Sequence, residues 1–182
     1  MNHILFPITW ACNLQCEFCA AKNNTEEIDI EASLQALKTK IGEAEWVYIT
    51  GGEPFLLDDL PYICDRIKEM GFKVGVTTNG TFYRPEIADH VDRIGISLDG
   101  DREYHDAYRG PNVFESALMF YDAIKDKCET VIMSVDFGTN KEALAKLEPI
   151  IERMNPTFWQ IAKDINQIPT EVQNAEDTDQ RV

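Results

Sequence analysis

The chain has 182 residues, 44% of them apolar and 10% aromatic, the proportions of one folded domain with its own core. Seventeen Lys and Arg stand against 32 Asp and Glu, a formal charge of −15 that disfavours a grip on a phosphate backbone. No stretch reaches the roughly 18 apolar residues that span a bilayer, and no basic patch with a long apolar segment opens the chain as a secretory signal does. The expectation is a cytoplasmic protein with neither a nucleic-acid nor a membrane partner.

In chain order, the first apolar run, Ile4 to Trp10, predicts a buried strand. Ile30, Leu34, Leu37 and Ile41 then repeat at helical spacing behind Asp29, a plausible N-cap. A second strand is predicted at Trp46 to Thr50, followed by a helical stripe of Leu60, Ile63, Ile67 and Met70 that Gly71 is placed to end. Strands at Phe72 to Thr78 and Arg93 to Leu98 flank a short, weaker helical segment, Arg84 to His90. Val113, Ala117, Phe120, Tyr121 and Ile124 form another stripe before the strand Thr130 to Phe137. Ala143, Leu144, Leu147 and Ile151 form the last, capped by Thr139 or Asn140 and expected to kink at Pro149. The sixth strand is Thr157 to Ala162.

Alternation of this kind favours an α/β fold with a parallel sheet and right-handed crossovers. A closed eight-stranded barrel typically needs about 250 residues. The expected architecture is therefore an open, partial (βα)6 barrel over residues 1–165. Periodicity is lost from Ile165, and residues 166–182 are expected to be a polar tail.

Three of the five cysteines are crowded directly behind the first strand, in Cys12-Asn-Leu-Gln-Cys16-Glu-Phe-Cys19. An odd number clustered in this way does not read as a disulfide framework and points to metal ligation in a reducing compartment. Three thiolates on one loop can hold three irons of a [4Fe–4S] cube, which usually takes four cysteines, leaving one iron open to an outside ligand. The other reading is a zinc site or three unrelated thiols. Structural zinc prefers four protein ligands, and the conceivable extras, His3 and His105, lack finger-like spacing. Cys64 and Cys128 stand alone and read as free thiols.

The C-x3-C-x2-C loop resembles that of the radical S-adenosylmethionine (radical SAM) superfamily. The resemblance runs from His3 to about Ala162. It implies a TIM-barrel-like core in which Cys12, Cys16 and Cys19 hold the cluster and the open iron takes the amino and carboxylate groups of the cofactor's methionine. It also implies reductive cleavage to methionine and a 5′-deoxyadenosyl radical that abstracts hydrogen from a substrate.

Further segments at the strand ends resemble the same family. Gly51-Gly52-Glu53-Pro54, behind strand two, is similar to the GGEP motif. Two glycines let a backbone approach a ligand closely, and a carboxylate can receive the cofactor's ammonium; the plain alternative is a strand-to-helix turn. Thr78-Asn79-Gly80 resembles a TNG near cofactor or substrate, although Asn-Gly is also a common turn pair. Ser97-Leu98-Asp99-Gly100 resembles an SLDG whose serine contacts the cofactor. His105 to Gly110 is similar to an HDxxRG segment, in which Arg109 pairs with Asp99, reaches the cofactor's carboxylate, or caps a helix at the surface. Phe18 matches an aromatic residue that packs on adenine, or is simply core. From barrel geometry, Met133, Ser134 and Gln160 are expected to line the adenine and substrate side.

The resemblance leaves the substrate open. SLDG and HDxxRG favour a peptide or protein, and an open flank would admit a chain. A nucleotide or purine-like small molecule is the alternative, compatible with the run GGEPFL at Gly51 to Leu56. A non-enzymatic electron-transfer module is a third possibility, though it has no need of an open iron or of GGEP. Expected partners are an electron donor such as a flavodoxin or ferredoxin and a protein covering the open side.

Overall fold

A computed structural model describes residues 2–19, 21–163 and 178–181. Six parallel strands follow one another in a single sheet: β1 (His3–Thr9), β2 (Trp46–Gly51), β3 (Lys73–Thr78), β4 (Arg93–Ser97), β5 (Glu129–Asp136) and β6 (Phe158–Lys163). Each pairs with the next, and among the described residues nothing closes β6 back onto β1. The expected open, partial barrel is what forms. A seventh strand, β7 (Thr178–Arg181), adds antiparallel to β6 and was not expected from sequence. Residues 164–177, which hold most of the expected polar tail, lie outside the described residues.

Period-two alternation divides each strand between two faces. Val47, Ile49, Val74, Val76, Ile94, Ile96 and Ile132 point to the convex face, where they are completely buried. Against them pack α1 (Ile30–Lys38), α2 (Leu60–Glu69), α4 (Val113–Ile124) and α5 (Lys141–Met154) through the predicted stripes, notably Leu34, Leu37, Ile63, Ile67, Phe120 and Leu147. Hydrophobic burial on this one side holds the fold.

The concave face is different. Leu5, Tyr48, Thr77, Ser97, Met133 and Gln160 lie on it by register, and Leu5 is 64% exposed. At the N-terminal end of the strands its floor is braced by Arg93, which bonds Glu129 at 2.6 Å and the Tyr48 hydroxyl at 2.7 Å while lying over the Trp46 ring.

Several local expectations change. Asp29 caps α1, accepting from the Ala32 amide at 2.9 Å, but the helix stops at Lys38 and leaves Ile41 exposed. The Thr39 hydroxyl bonds back to Ala36 O there, ending the turn. The segment Pro85–Asp89 is a 3-10 turn. Pro149 lies inside helix α5. Helix α3 (Arg102–Arg109) has no aliphatic stripe to announce it; Asp101 caps it through the Tyr104 amide, and His105 is its buried residue. Cys64 and Cys128 are free, and burial pushes their thiols up to about 12 and about 11. No helix among the described residues is long and apolar enough to cross a membrane.

Candidate active site

The C-terminal ends of the parallel strands carry the chemistry-bearing loops, as barrel-type folds require. The cysteine loop leaves β1 and is fastened at once to the end of β2. Gly52 N donates to Thr9 O at 2.7 Å, and Glu53 N donates to Ala11 O at 2.8 Å. A Cβ on Gly51 would stand 2.1 Å from Thr9 O, and one on Gly52 would stand 2.2 Å from Ala11 O. Gly51 also has φ of 128°, a conformation that only glycine adopts freely. These glycines permit a close approach to the end of β1 and the start of the cysteine loop.

Glu53 is 1% exposed, and its carboxylate accepts three hydrogen bonds: from Phe55 N at 3.0 Å, the Thr78 hydroxyl at 2.8 Å and Asn79 N at 2.7 Å. Three of its roughly four acceptor positions are thus occupied. It is a clamp joining the ends of β2 and β3. Its pKa is raised by burial and partly held down by these donors. Pro54, buried, opens the 3-10 turn behind it. Thr78 faces the clamp, so its neighbour Thr77 is the one presented on the concave face.

Asn79 extends this link to the cysteines. A closed ring of side chains runs from Asn79 Nδ2 to Asn13 Oδ1 (3.0 Å), from Asn13 Nδ2 to Thr81 Oγ1 (2.8 Å), and from Thr81 Oγ1 to Asn79 Oδ1 (2.6 Å). Asn79 Nδ2 also lies 3.9 Å from Cys12 Sγ, and Leu14 N donates to the same sulfur at 3.4 Å.

The far side of the loop is held by Phe18 and Arg109. The Phe18 ring packs on Phe137 at the end of β5, with centroids 4.5 Å apart, and has the Arg109 guanidinium 5.3 Å from its own centroid. Arg109 Nε donates to Asp99 Oδ2 at 2.7 Å, so the ion-pair alternative is the one formed. Asp99 is buried and accepts from Val135 N as well. Asn140, expected as a cap of α5, occupies that position but turns its side chain to Asp99 O, Val135 O and Phe137 N, locking the ends of β4 and β5. Ser97, Met133 and Gln160 share the concave face. Ser134 does not: it is buried on the convex side between Leu98 O and the Trp159 indole, because adjacent strand residues point opposite ways.

His105 is fully buried, with Nδ1 accepting from Asp99 N at 3.1 Å, and desolvation with help from Arg109 lowers its pKa to about 3. Its Nδ1 is committed to the fold; His3 sits at the opposite end of β1, against Tyr48. Between pH 6.5 and 3 the unfolded chain binds a proton at this position that the folded chain refuses. Stability present above pH 6.5 is therefore lost as pH falls, by up to about 1.4 kcal/mol per unit. His105→Asn is expected to flatten urea-unfolding stability against pH over that interval; an unchanged slope would refute the assignment.

The donor set fits an iron–sulfur cube. Cys12 is exposed, Cys16 is 8% exposed and Cys19 half-buried, and the sulfurs lie within electrostatic reach of one another. Burial raises the Cys12 and Cys16 thiols, while Arg109 opposes this at Cys16 and the Leu14 amide at Cys12. Loading must therefore release protons. Among the described residues no three His, Cys, Asp or Glu converge as around a single ion. A cube does not ask for that, since each thiolate takes a different iron.

Comparison with known proteins agrees. The family model described as "Radical SAM superfamily" matches residues 6–148. The chain is 28% identical over 160 residues to the Fe-coproporphyrin III synthase of Methanosarcina barkeri, covering 82% of this chain and 40% of that one. It is 35% identical over 127 residues to the mycofactocin maturase MftC of Mycolicibacterium smegmatis, covering 63% and 32%. It thus spans less than half the length of these curated relatives. The crystal structure of Streptococcus suis SuiB bound to S-adenosylmethionine superposes with a TM-score of 0.73 at 18% identity, over 88% of this chain and 40% of that one; SuiB has also been solved with its precursor peptide SuiA. With its three-cysteine loop across the mouth of an open parallel half-barrel and most of its length within the family model, the chain belongs to the radical SAM superfamily, enzymes that hold a [4Fe–4S] cluster and S-adenosylmethionine.

Proposed function

We propose that this chain cleaves S-adenosylmethionine reductively to abstract hydrogen from a peptide or protein substrate. The supporting observation is the cysteine loop stretched across the C-terminal mouth of the sheet, tied by Asn79 on one side and by Phe18 with Arg109 on the other. When bound, the cluster supplies the electron that splits the sulfonium compound into methionine and a 5′-deoxyadenosyl radical.

The chain's own residues do the rest. Cys12, Cys16 and Cys19 ligate and leave one metal corner vacant. Gly51 to Pro54 form the wall beside it, shaped by the Glu53 clamp. Arg109 spends Nε on Asp99, and its terminal nitrogens make no hydrogen bond among the described residues, which leaves them for the methionine carboxylate. Phe18 borders the adenine side, and Ser97 and Thr77 offer hydroxyls on the concave face. We take residues 1–165 as the catalytic core and 166–182 as an appended segment. A flavodoxin or ferredoxin is the fitting reductant.

The concave face, on which Leu5 stands exposed, supports a peptide substrate, as do the likenesses to MftC and to SuiB, which was solved with a precursor peptide. A second reading, a small-molecule substrate, is favoured by the longer match to the Fe-coproporphyrin III synthase. Anaerobically reconstituted protein given S-adenosylmethionine and dithionite is expected to release 5′-deoxyadenosine slowly, and faster with a peptide substrate. No 5′-deoxyadenosine at all would sink the reading; acceleration by a tetrapyrrole or purine and by no peptide would transfer it to small molecules.

A further inference from the structure

The cluster ligands differ in what surrounds their sulfurs. Cys12 Sγ is approached by two N–H groups, the backbone amide of Leu14 at 3.4 Å and the side-chain amide of Asn79 at 3.9 Å. The second comes from a residue 67 positions away on another strand end. Its orientation is fixed by its neighbours. Asn79 Oδ1 accepts from Thr81 N at 2.9 Å, and a backbone amide can only donate, so the oxygen must face Thr81 and the NH2 must face Cys12. Asn79 N is itself anchored on Glu53, and the residue is only 6% exposed.

We propose that Asn79 is a positioning residue for the cluster, donating to the Cys12 sulfur and thereby raising the reduction potential at that corner. This rests on the cluster reading above. Hydrogen bonds to the sulfurs are among the factors that set cluster potentials, because a donor stabilises the extra negative charge of the reduced state. The Thr81 amide, through Asn79 Oδ1, and the Glu53 carboxylate, through Asn79 N, hold the donor at its station without Asn13 and tie that station to the GGEP turn. A residue expected from its motif to contact S-adenosylmethionine or substrate thus acts through a cysteine.

The test is the midpoint potential of the reconstituted cluster, followed by electron paramagnetic resonance during a redox titration without S-adenosylmethionine. Asn79→Asp keeps the size and the oxygen that Thr81 needs, and turns an acceptor toward the sulfur. At a poise where wild type is half reduced, its reduced-to-oxidised ratio is expected to fall about tenfold, about 59 mV for one electron. Asn79→Ala should fall less. Asn13→Ala breaks the ring but keeps the donor, and should retain the wild-type potential. A wild-type potential in Asn79→Asp, or an equal fall in Asn13→Ala, overturns the proposal.

A reading that needs no Asn79 variant is also decisive. With asparagine labelled at its side-chain nitrogen in the Asn13→Ala background, the reduced cluster should show a 15N coupling in pulsed resonance spectra; no coupling overturns the proposal. If the wild-type chain takes up no cluster, the cofactor reading fails, and this inference with it. If the wild type loads normally and Asn79→Asp leaves the potential unmoved, only this inference fails.

Discussion

Cys16→Ala is expected to remove both the cluster and the cleavage of S-adenosylmethionine. Cys16 is the most buried of the three ligands and is centred in the loop, with Arg109 acting on its sulfur. Losing a partner of a metal ligand costs roughly 10- to 100-fold in metal affinity or activity. Losing the ligand itself should cost more, taking iron content and 5′-deoxyadenosine release to the level without enzyme. Iron analysis after anaerobic reconstitution and chromatography of the products check both. Cys64→Ala is the matched control: that thiol is buried in α2 within the hydrophobic core, and its loss should leave iron and cleavage intact. Full iron or normal cleavage in Cys16→Ala would contradict the ligand set.

Asp99→Ala is expected to lower the unfolding free energy of the apo chain by about 3–5 kcal/mol, the range for removing one partner of a buried ion pair. The substitution strands the nearly buried Arg109 guanidinium and the Val135 amide together. It also unties Arg109 from Phe18's side of the mouth, so cluster loading should fall in variants that still fold. Asp99→Asn keeps the acceptor for Val135 and loses only the charge, and its loss should be smaller. Urea unfolding measures both; a loss below about 1 kcal/mol for Asp99→Ala would show that the pair carries no net weight.

The parts of this protein that are local in sequence were legible from it. Buried strands announce themselves through runs such as Trp46 to Thr50, and the helices through stripes such as Leu60, Ile63 and Ile67, because burial on one side of a sheet imposes those periods. The cysteine loop fits within eight residues, so its chemistry needs no folded context to be read. Helix α3 escaped because its buried face is His105, with Tyr104 and Tyr108 stacked beside it, and no aliphatic row.

The rest was decided by register and by distance along the chain. Which of Thr77 and Thr78, or of Met133 and Ser134, looks into the mouth depends on strand phase, and a one-residue slip would exchange them. Glu53 could not be recognised as a clamp before Thr78 and Asn79 were brought to it, 25 and 26 residues on. Nor could Asn13 and Asn140 be seen as fastenings, since their partners lie on other strand ends. The sequence by itself determined the alternation of strands and helices and the donors for a cluster, because short-range periodicity and ligand spacing suffice for both. Only the tertiary structure decided which side chains meet around those donors, because hydrogen bonds between distant segments exist only once the parallel sheet has set its strand ends side by side.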